Sequence, residues 1–252
     1  MAMTKGSHSI VAACFLIQAV GIGTFVTYGV FFNSLSDELG WSRALISGAS
    51  SVAFFLSGIF AVLVGRLSDC YGPRILMAVA ALFFGSGFIL MSKVYEVWQL
   101  YLFYGLIFGV GLSAVDVIAL TTTARWFARS RGLMTGVVKV GTGAGQFSIP
   151  LLASILIGAY GWRDAYLFIG AMALVLLLGL SQLLRPYPEH VDDGLSQDLR
   201  EKSAADYVEK SFSAKEAIKT KQMWLLCGSY LLLVFCLIIV LVHIVPMQPI
   251  SA

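Results

Sequence analysis

Two side chains of opposite charge, Asp116 and Lys139, lie alone inside long uncharged stretches of the sequence. Asp116 is the one charged residue of 97–124, and Lys139 is the one charged residue of 132–162. A charge at the centre of a lipid bilayer costs at least ~2.5–3.5 kcal/mol, so a charged residue there is usually paired or functional. A carboxylate and an ammonium can neutralise each other, bind an ion of opposite sign, or carry a proton. These two residues are therefore the first candidates for a site.

The two charges are predicted to lie at the same depth. Asp116 comes nine residues before Arg125, and Lys139 comes eight residues after Arg131. If both arginines mark the edge of a membrane, a rise of 1.5 Å per residue places both charges roughly 12–14 Å inside it. The two stretches are consecutive and joined by a short connection, which favours antiparallel neighbouring helices. Two interpretations stay open: a pair that only fastens the helices together, or a site that binds substrate or carries a proton.

Helical spacing predicts that each charge shares a face with small residues. The stripe of Lys139 consists of Gly132, Gly136, Lys139, Gly143, Gln146 and Pro150, and the stripe of Asp116 consists of Gly105, Gly109, Ser113, Asp116, Leu120 and Thr123. Small residues let helix backbones approach closely, so we expect Gly105, Gly109, Gly136 and Gly143 to pack against neighbouring helices. The same features indicate an interior position for both helices.

Three uncharged polar residues are further candidates for a substrate or proton path. Gln18 and Tyr28 lie in the first apolar stretch, where helix packing explains them equally well, and Gln146 lies on the stripe of Lys139. No cluster of His, Asp, Glu and Cys has catalytic or metal-ligand spacing, so the sequence predicts no enzyme, no metal site and no cofactor. The glycines at 141, 143 and 145 follow no strand, which argues against nucleotide binding.

The elements that would position these residues are predicted to be membrane-spanning helices. Hydrophobic residues make up 58% of the 252 and charged residues 12%, about half the ~25% of ordinary soluble domains. Crossing ~30 Å of hydrocarbon takes about 20 apolar residues, and seven stretches are long enough. Strand alternation is absent, so we predict an all-α membrane protein. The helices are predicted at 10–32, 44–64, 74–92, 97–124, 132–158, 165–184 and 223–245.

Charge and proline positions divide the chain into five segments. We expect a cytoplasmic N-terminal tail at 1–9, a six-helix bundle at 10–184, a cytoplasmic loop at 185–221, a seventh transmembrane helix at 222–246 and a C-terminal tail at 247–252. Thirteen Lys and Arg lie on the side of the N-terminus and the long loop, against three on the other side. This bias predicts a cytoplasmic N-terminus. The net charge of +3 is dispersed, which argues against a nucleic-acid partner, and the Gly-Trp steps at 40–41 and 161–162 predict interfacial tryptophans.

The turn between the second and third helices carries a recognisable pattern. Residues 65–74 read Gly-Arg-Leu-Ser-Asp-Cys-Tyr-Gly-Pro-Arg, in which Gly72 suits a positive φ and Pro73 suits the first position of a helix. This pattern resembles the signature loop of the major facilitator superfamily of secondary transporters. Residues 125–132, Arg-Trp-Phe-Ala-Arg-Ser-Arg-Gly, resemble a segment of its monocarboxylate and oxalate–formate porter branch. Residues 40–43 and 216–218 are similar to further segments of that branch.

The resemblance implies a cytoplasmic gating loop. Its members would be Gly65, Asp69, Gly72, Arg74, Arg125, Arg129 and Arg131. Asp69 would accept hydrogen bonds from one or more of the arginines that follow the fourth helix and help to close the cytoplasmic side. The chain departs from the family at Cys70, where an arginine is usual, and by stopping just past its seventh helix.

The resemblance also implies a function. Family members hold substrate between two six-helix halves and expose it to each side of the membrane in turn. The expectation is the first half and seventh helix of a transporter of the plasma (inner) membrane, for a small organic anion such as a monocarboxylate, coupled to a proton or to exchange. Its partners would be that anion, the lipid bilayer, and the missing second half or another copy. The alternatives are a truncated, transport-inactive fragment and a seven-helix receptor-like protein.

Overall fold

The part of the chain that the structure describes is built from α-helices. The computed structural model describes residues 5–127, 130–184 and 219–244, and no strand occurs among them. The helices are α1 (Lys5–Leu39), α2 (Arg43–Tyr71), α3 (Pro73–Leu90), α4 (Val97–Trp126), α5 (Arg131–Tyr160), α6 (Trp162–Leu183) and α7 (Lys221–Ile244). The all-α prediction is confirmed.

Six of these helices, α1 to α6, are long and apolar enough to cross a membrane. They belong to a compact unit, Met1–Glu189, while α7 belongs to a second unit, His190–Ala252. The seventh predicted span corresponds to α7, a helix of 24 residues. With its several apolar helices, the protein is a multi-pass integral membrane protein.

Several helices run past the ends that the apolar stretches predict. The helix α1 takes in residues 5–9 of the expected tail and continues to Leu39, and α2 continues to Tyr71 rather than ending at 64. Apolar stretches mark the length inside lipid, whereas a helix persists until its hydrogen bonding is interrupted. Here the interruptions are Gly40 at φ 67° and Gly72 at φ 81°, a backbone conformation that glycine adopts without steric cost.

The helices of the first unit are buried to very different extents. In its most apolar window, α4 has 61% of its residues buried, whereas α5 has 22%. Within the first unit, α4 is therefore interior, as predicted for both helices, whereas α5 is largely exposed. The reason is that α5 packs along α1 on one side and leaves its opposite side, which carries Lys139 and Gln146, exposed.

Glycines allow the closest helix approaches, but only half of the predicted ones do so. A Cβ at Gly105 would lie 3.2 Å from Val52, and one at Gly109 would lie 2.9 Å from the carbonyl oxygen of Ala53 on α2. Both glycines therefore lie at close helix contacts. At Gly136 and Gly143 a Cβ would meet no described atom within 4 Å, so neither glycine packs against another helix of the described part of the chain.

The glycines that pack on α5 lie on a different stripe. The buried residues of this helix are Val138, Gly141, Gly145, Ile149 and Ala153. A Cβ at Gly141 would overlap the carbonyl oxygen of Phe15, and one at Gly145 would overlap that of Ala19. Such close backbone contact is the usual role of small residues four positions apart in membrane helices. The stripe of Lys139 is thereby turned away from α1.

An aromatic cluster fills the bundle beyond the predicted site. Tyr104 lies in a π-helical segment of α4, Tyr101–Phe108, and stacks on Tyr28 with ring centroids 4.1 Å apart. The Tyr28 hydroxyl donates to the carbonyl oxygen of Ile46 at 2.8 Å, and that of Tyr104 donates to Phe25 at 3.2 Å. Both hydroxyls therefore have partners within the core, which ties α1, α2 and α4 together.

Candidate functional site

Four polar side chains from three helices meet at the predicted site. The Nζ of Lys139 on α5 lies 2.6 Å from Oδ1 of Asp116 on α4. The Nε2 of Gln18 on α1 donates to the same oxygen at 2.7 Å. The Thr142 hydroxyl on α5 donates to Oε1 of Gln18 at 3.0 Å. The equal depth inferred from the sequence thus corresponds to a direct ion pair.

Close packing between α1 and α5 brings Gln18 within reach of Thr142. Phe15 and Ala19, whose carbonyl oxygens abut Gly141 and Gly145, lie on either side of Gln18 along α1. A larger residue at either glycine would force the helices apart and lengthen the Gln18–Thr142 hydrogen bond. The glycine contacts are therefore part of the structure that positions the site.

The hydrogen bond from Thr142 fixes the orientation of the Gln18 amide. A hydroxyl that donates to Oε1 leaves Nε2 pointing at Asp116, where it donates in turn. Gln18 is fully buried, so its rotation would leave polar atoms unpaired. The carboxylate is held by two donors on Oδ1, and its Oδ2 makes no hydrogen bond with the described residues.

The charged pair lies at the open face of the bundle. The side chains of Lys139 and Asp116 are 44% and 50% exposed within the first unit, in contrast to the buried Gln18. Neither charged group is covered by the helix packing of this unit. The arrangement consists of one ammonium paired with one carboxylate, whose Oδ2 has no hydrogen-bond partner among the described residues.

Two of the predicted path residues lie away from this cluster. Tyr28 is ten residues from Gln18 along α1, roughly 15 Å, and its buried side chain serves the aromatic core. Gln146 is exposed on α5, seven residues or about 10 Å beyond Lys139, and forms no hydrogen bond with the described residues. The contacts of Tyr28 favour the helix-packing interpretation.

Thr142 is a member of the site that the sequence analysis missed. It lies three residues after Lys139, a spacing that puts both on neighbouring positions of one helix. That spacing was the available signal. Thr142 lies off the predicted stripe that runs through Lys139, Gly143 and Gln146.

At the helix ends that are predicted to be cytoplasmic, the predicted gating residues separate into two contacts. Arg125 at the end of α4 forms an ion pair with Asp69 near the end of α2, and both side chains are more than half exposed. Arg74 instead donates from Nε to Gln182 of α6 at 2.9 Å, which joins α3 to α6. The turn between α2 and α3 is as predicted, with Gly72 at positive φ and Pro73 opening α3.

Of the remaining gating residues, Gly65 and Arg131 take no part in these two contacts. A Cβ at Gly65 would make only an ordinary contact, 3.9 Å from Val117. Arg131 begins α5 with an exposed side chain and no ion pair within the described part of the chain. Arg129 lies outside the described residues.

An ion-paired cluster at the opposite ends of the helices was not anticipated. Glu38 near the end of α1 accepts hydrogen bonds from Nε1 of Trp162 and, at 3.0 Å, from Arg163 on α6. Arg163 also donates to the carbonyl oxygens of Ser92 and Val94 between α3 and α4. Trp162 is 6% exposed, so its side chain packs within the unit, and its depth at the membrane interface stays a prediction. The cluster fastens three helix ends together.

Comparisons with known proteins place these features in a family. Residues 13–250 match the family model described as Major Facilitator Superfamily. The chain is 28% identical to Monocarboxylate transporter 7 of Homo sapiens over 71% of its own length and 34% of the relative's. It is 30% identical to MFS-type transporter 1 of Ophiocordyceps sp. (strain BCC 1869), over 69% and 39%. It is 31% identical to Riboflavin transporter RibJ of Trypanosoma cruzi (strain CL Brener), over 72% and 40%. The matches therefore span well under half of each of these relatives.

Proposed function

Because the chain belongs to the Major Facilitator Superfamily, we propose that it forms the first half and seventh helix of a secondary active transporter for small organic anions, monocarboxylates first among them. The observation that carries the proposal is the Asp116–Lys139 ion pair on the open face of the bundle. Lys139 would bind the carboxylate of the substrate. Related proteins named as monocarboxylate transporters support this choice of anion.

The net charge of the site favours a proton as the coupling ion. The Asp116–Lys139 pair is neutral, so adding one anion leaves a net negative charge inside the membrane, where charge is costly. A proton on Asp116 restores neutrality and frees Lys139 to hold the anion. The free Oδ2 of Asp116, on a half-exposed side chain, is where that proton would bind. Anion and proton would then cross together as a neutral combination.

Alternating access would use the cytoplasmic ion pair as a closing contact. Asp69 and Arg125 link α2 to α4, the helix that carries Asp116, at the cytoplasmic ends. Both side chains are solvent-exposed, so the pair is weak and can open during a transport cycle. The N-terminus would face the cytoplasm, and the protein would lie in the plasma (inner) membrane. The second wall of the substrate cavity would come from a further six-helix half or another copy.

The experiment that tests this function is uptake of labelled pyruvate into liposomes. The natively produced protein is reconstituted into liposomes, and an inward proton gradient is applied. Protein-free liposomes and liposomes with the Lys139→Met variant are measured in parallel. We expect uptake that the gradient accelerates and that Lys139→Met abolishes. Asp116→Asn should remove the acceleration by the gradient. Uptake equal to that of protein-free liposomes would contradict the proposal and favour a transport-inactive protein.

A further inference from the structure

A groove leads away from the candidate site toward the cytoplasmic ends of α4 and α5. It has a volume of about 630 Å³ and is lined by Leu120, Thr121 and Ala124 of α4 and by Gly132, Thr135 and Gly136 of α5, with Lys139 at one end. The groove is open along one side, so a molecule lying in it would be covered by this unit on one side only. A short carboxylate bound at Lys139 would leave most of this groove empty.

Among the described residues of the groove lining, Lys139 is the one charged residue. The hydroxyls of Thr121 and Thr135 donate to carbonyl oxygens of their own helices, Val117 and Arg131, each at 2.6 Å. Gly132 and Gly136 have no side chain, and a Cβ at either would meet no described atom within 4 Å. The groove therefore presents methyl groups and open backbone, with one ammonium at its end.

We infer that this groove holds the apolar body of the transported anion, whose carboxylate lies at Lys139. The inference rests on the proposed function and narrows its substrate class to amphipathic carboxylates with a chain or ring beyond the head group. Charge complementarity supplies the direction, because Lys139 is the charged residue of the lining. Lys139 is seven residues from Gly132, so about 10 Å of groove lies beyond the head group.

A lipid acyl chain is the other molecule that could occupy an apolar groove. Its phosphate would have to lie at the membrane surface, whereas the ammonium at the end of this groove lies about 12 Å deeper, eight residues along α5 from Arg131. A free carboxylate satisfies the charged end and the apolar lining together. An experiment on this groove therefore has to distinguish a bound carboxylate from a lipid acyl chain.

The test compares pyruvate with 2-oxooctanoate, which has the same head group and five more methylenes. Each fully buried methylene tightens binding roughly four-fold, so half-burial of all five predicts binding roughly 30-fold tighter for the longer acid. Binding is measured on the full chain in phosphatidylcholine nanodiscs, through protection of a cysteine from a water-soluble maleimide. Cys70, Cys227 and Cys236, which are exposed, are first replaced by serine.

Two cysteine positions distinguish the groove from its surroundings. Thr135→Cys lies in the groove, while Leu133→Cys lies nearby on the same helix with an exposed side chain outside it. We expect 2-oxooctanoate to slow labelling at 135 but not at 133, and pyruvate to leave both unchanged. Equal protection at both positions would indicate nonspecific partition into lipid and overturn the inference. Protection at 135 that survives Lys139→Met would do the same, because the head group would then not bind Lys139.

A filled groove provides a second, independent measurement. Gly136→Phe adds a ring inside the groove, and Gly158→Phe adds one at another open position of the same helix, outside the groove lining. Gly136→Phe should remove the advantage of 2-oxooctanoate in competition against pyruvate uptake, and Gly158→Phe should retain it. If pyruvate uptake depends on Lys139 but chain length and Gly136→Phe make no difference, the inference fails while the proposed function stands. If Lys139→Met affects no carboxylate, both fail.

Discussion

Gln18 is the residue that connects the charged pair to the helix packing. It is fully buried, donates to Asp116 and accepts from Thr142, so one amide joins α1 to both α4 and α5. A hydrogen bond to a charged group contributes about 1.5–3 kcal/mol in proteins, more than a neutral one. Gln18 therefore positions Asp116 rather than binding substrate through an exposed group.

Replacing Gln18 by leucine keeps the side-chain volume but removes both hydrogen bonds. We expect Gln18→Leu to lower the free energy of unfolding in detergent by about 1–3 kcal/mol. Thr121→Val is the matched control, because its hydroxyl bonds only to its own helix, and surface changes of this kind usually stay within about 0.5 kcal/mol. Denaturant melts of the purified variants measure both. Equal stability of Gln18→Leu and the control would mean that the amide holds nothing in place.

One contact between charged residues could be predicted from the sequence, whereas another could not. The contact between Asp116 and Lys139 could be predicted because charges inside apolar stretches are rare and their depth follows from helical rise. The cluster of Glu38 and Arg163 could not, because charges near helix ends are common and nothing in the sequence pairs one end with another. Which neighbour a side chain meets there depends on the arrangement of helices, which the spacing of residues along a single helix does not contain.

At the scale of elements, α5 has two stripes of small residues with different roles. One stripe, through Gly141 and Gly145, packs against α1, and the other, through Gly136 and Gly143, borders open space. Both stripes repeat with helical spacing, so periodicity alone gave no reason to choose between them. Which stripe packs depends on the position of α1. The sequence prediction took the stripe that contains Lys139, whereas the other one packs against α1.

A pair of alanine substitutions distinguishes the two stripes. Gly145→Ala should destabilise the protein by roughly 1–3 kcal/mol, because the added methyl overlaps the backbone of α1. Gly143→Ala, two residues away, should be neutral or stabilising by up to about 1 kcal/mol, since alanine favours the helix. Thermal melts in detergent provide the comparison. A larger loss of stability from Gly143→Ala than from Gly145→Ala would show that α1 packs against the other face of α5.

The Asp69–Arg125 contact between α2 and α4 should affect the balance of conformations more than folding. Exposed ion pairs contribute about 0–1 kcal/mol, so Asp69→Asn should shift the ratio of closed to open cytoplasmic states by at most roughly five-fold. Faster maleimide labelling of Thr135→Cys in the otherwise serine-substituted chain would report this opening. Arg131→Gln is the control, because Arg131 forms no ion pair with the described residues.

Exchanging the two charges is the sharper form of the same test. The double variant Asp69→Arg with Arg125→Asp should restore the slower labelling if the pair acts as a contact. Labelling that is unchanged by Asp69→Asn, or unrestored by the exchange, would remove this pair from the gating proposal.

For the molecule as a whole, we predict the orientation in the membrane from the distribution of its basic residues. Single cysteines at Ala204 and Lys93 should react with an impermeant maleimide from opposite sides of the membrane. Native Cys70 should react from the same side as position 204, which serves as an internal reference. Ala204 lies outside the described residues, so this prediction rests on the sequence alone. Reaction of both positions from the cytoplasmic side would contradict the proposed topology.

A double-mutant cycle at Asp116 and Lys139 tests whether their ion pair takes part in transport. Proton-driven uptake and thermal melting are measured for both single variants and the double variant. Each of Asp116→Asn and Lys139→Met leaves one charge unpaired and should lower the free energy of unfolding. The loss should be smaller than the ~3–5 kcal/mol typical of a fully buried pair, because both side chains are about half exposed within the unit. Each single variant should also lose proton-driven uptake. The double variant should recover most of the stability but none of the uptake. A double variant that regains proton-driven uptake would make the pair purely structural, and additive losses of stability would show that the two residues do not interact.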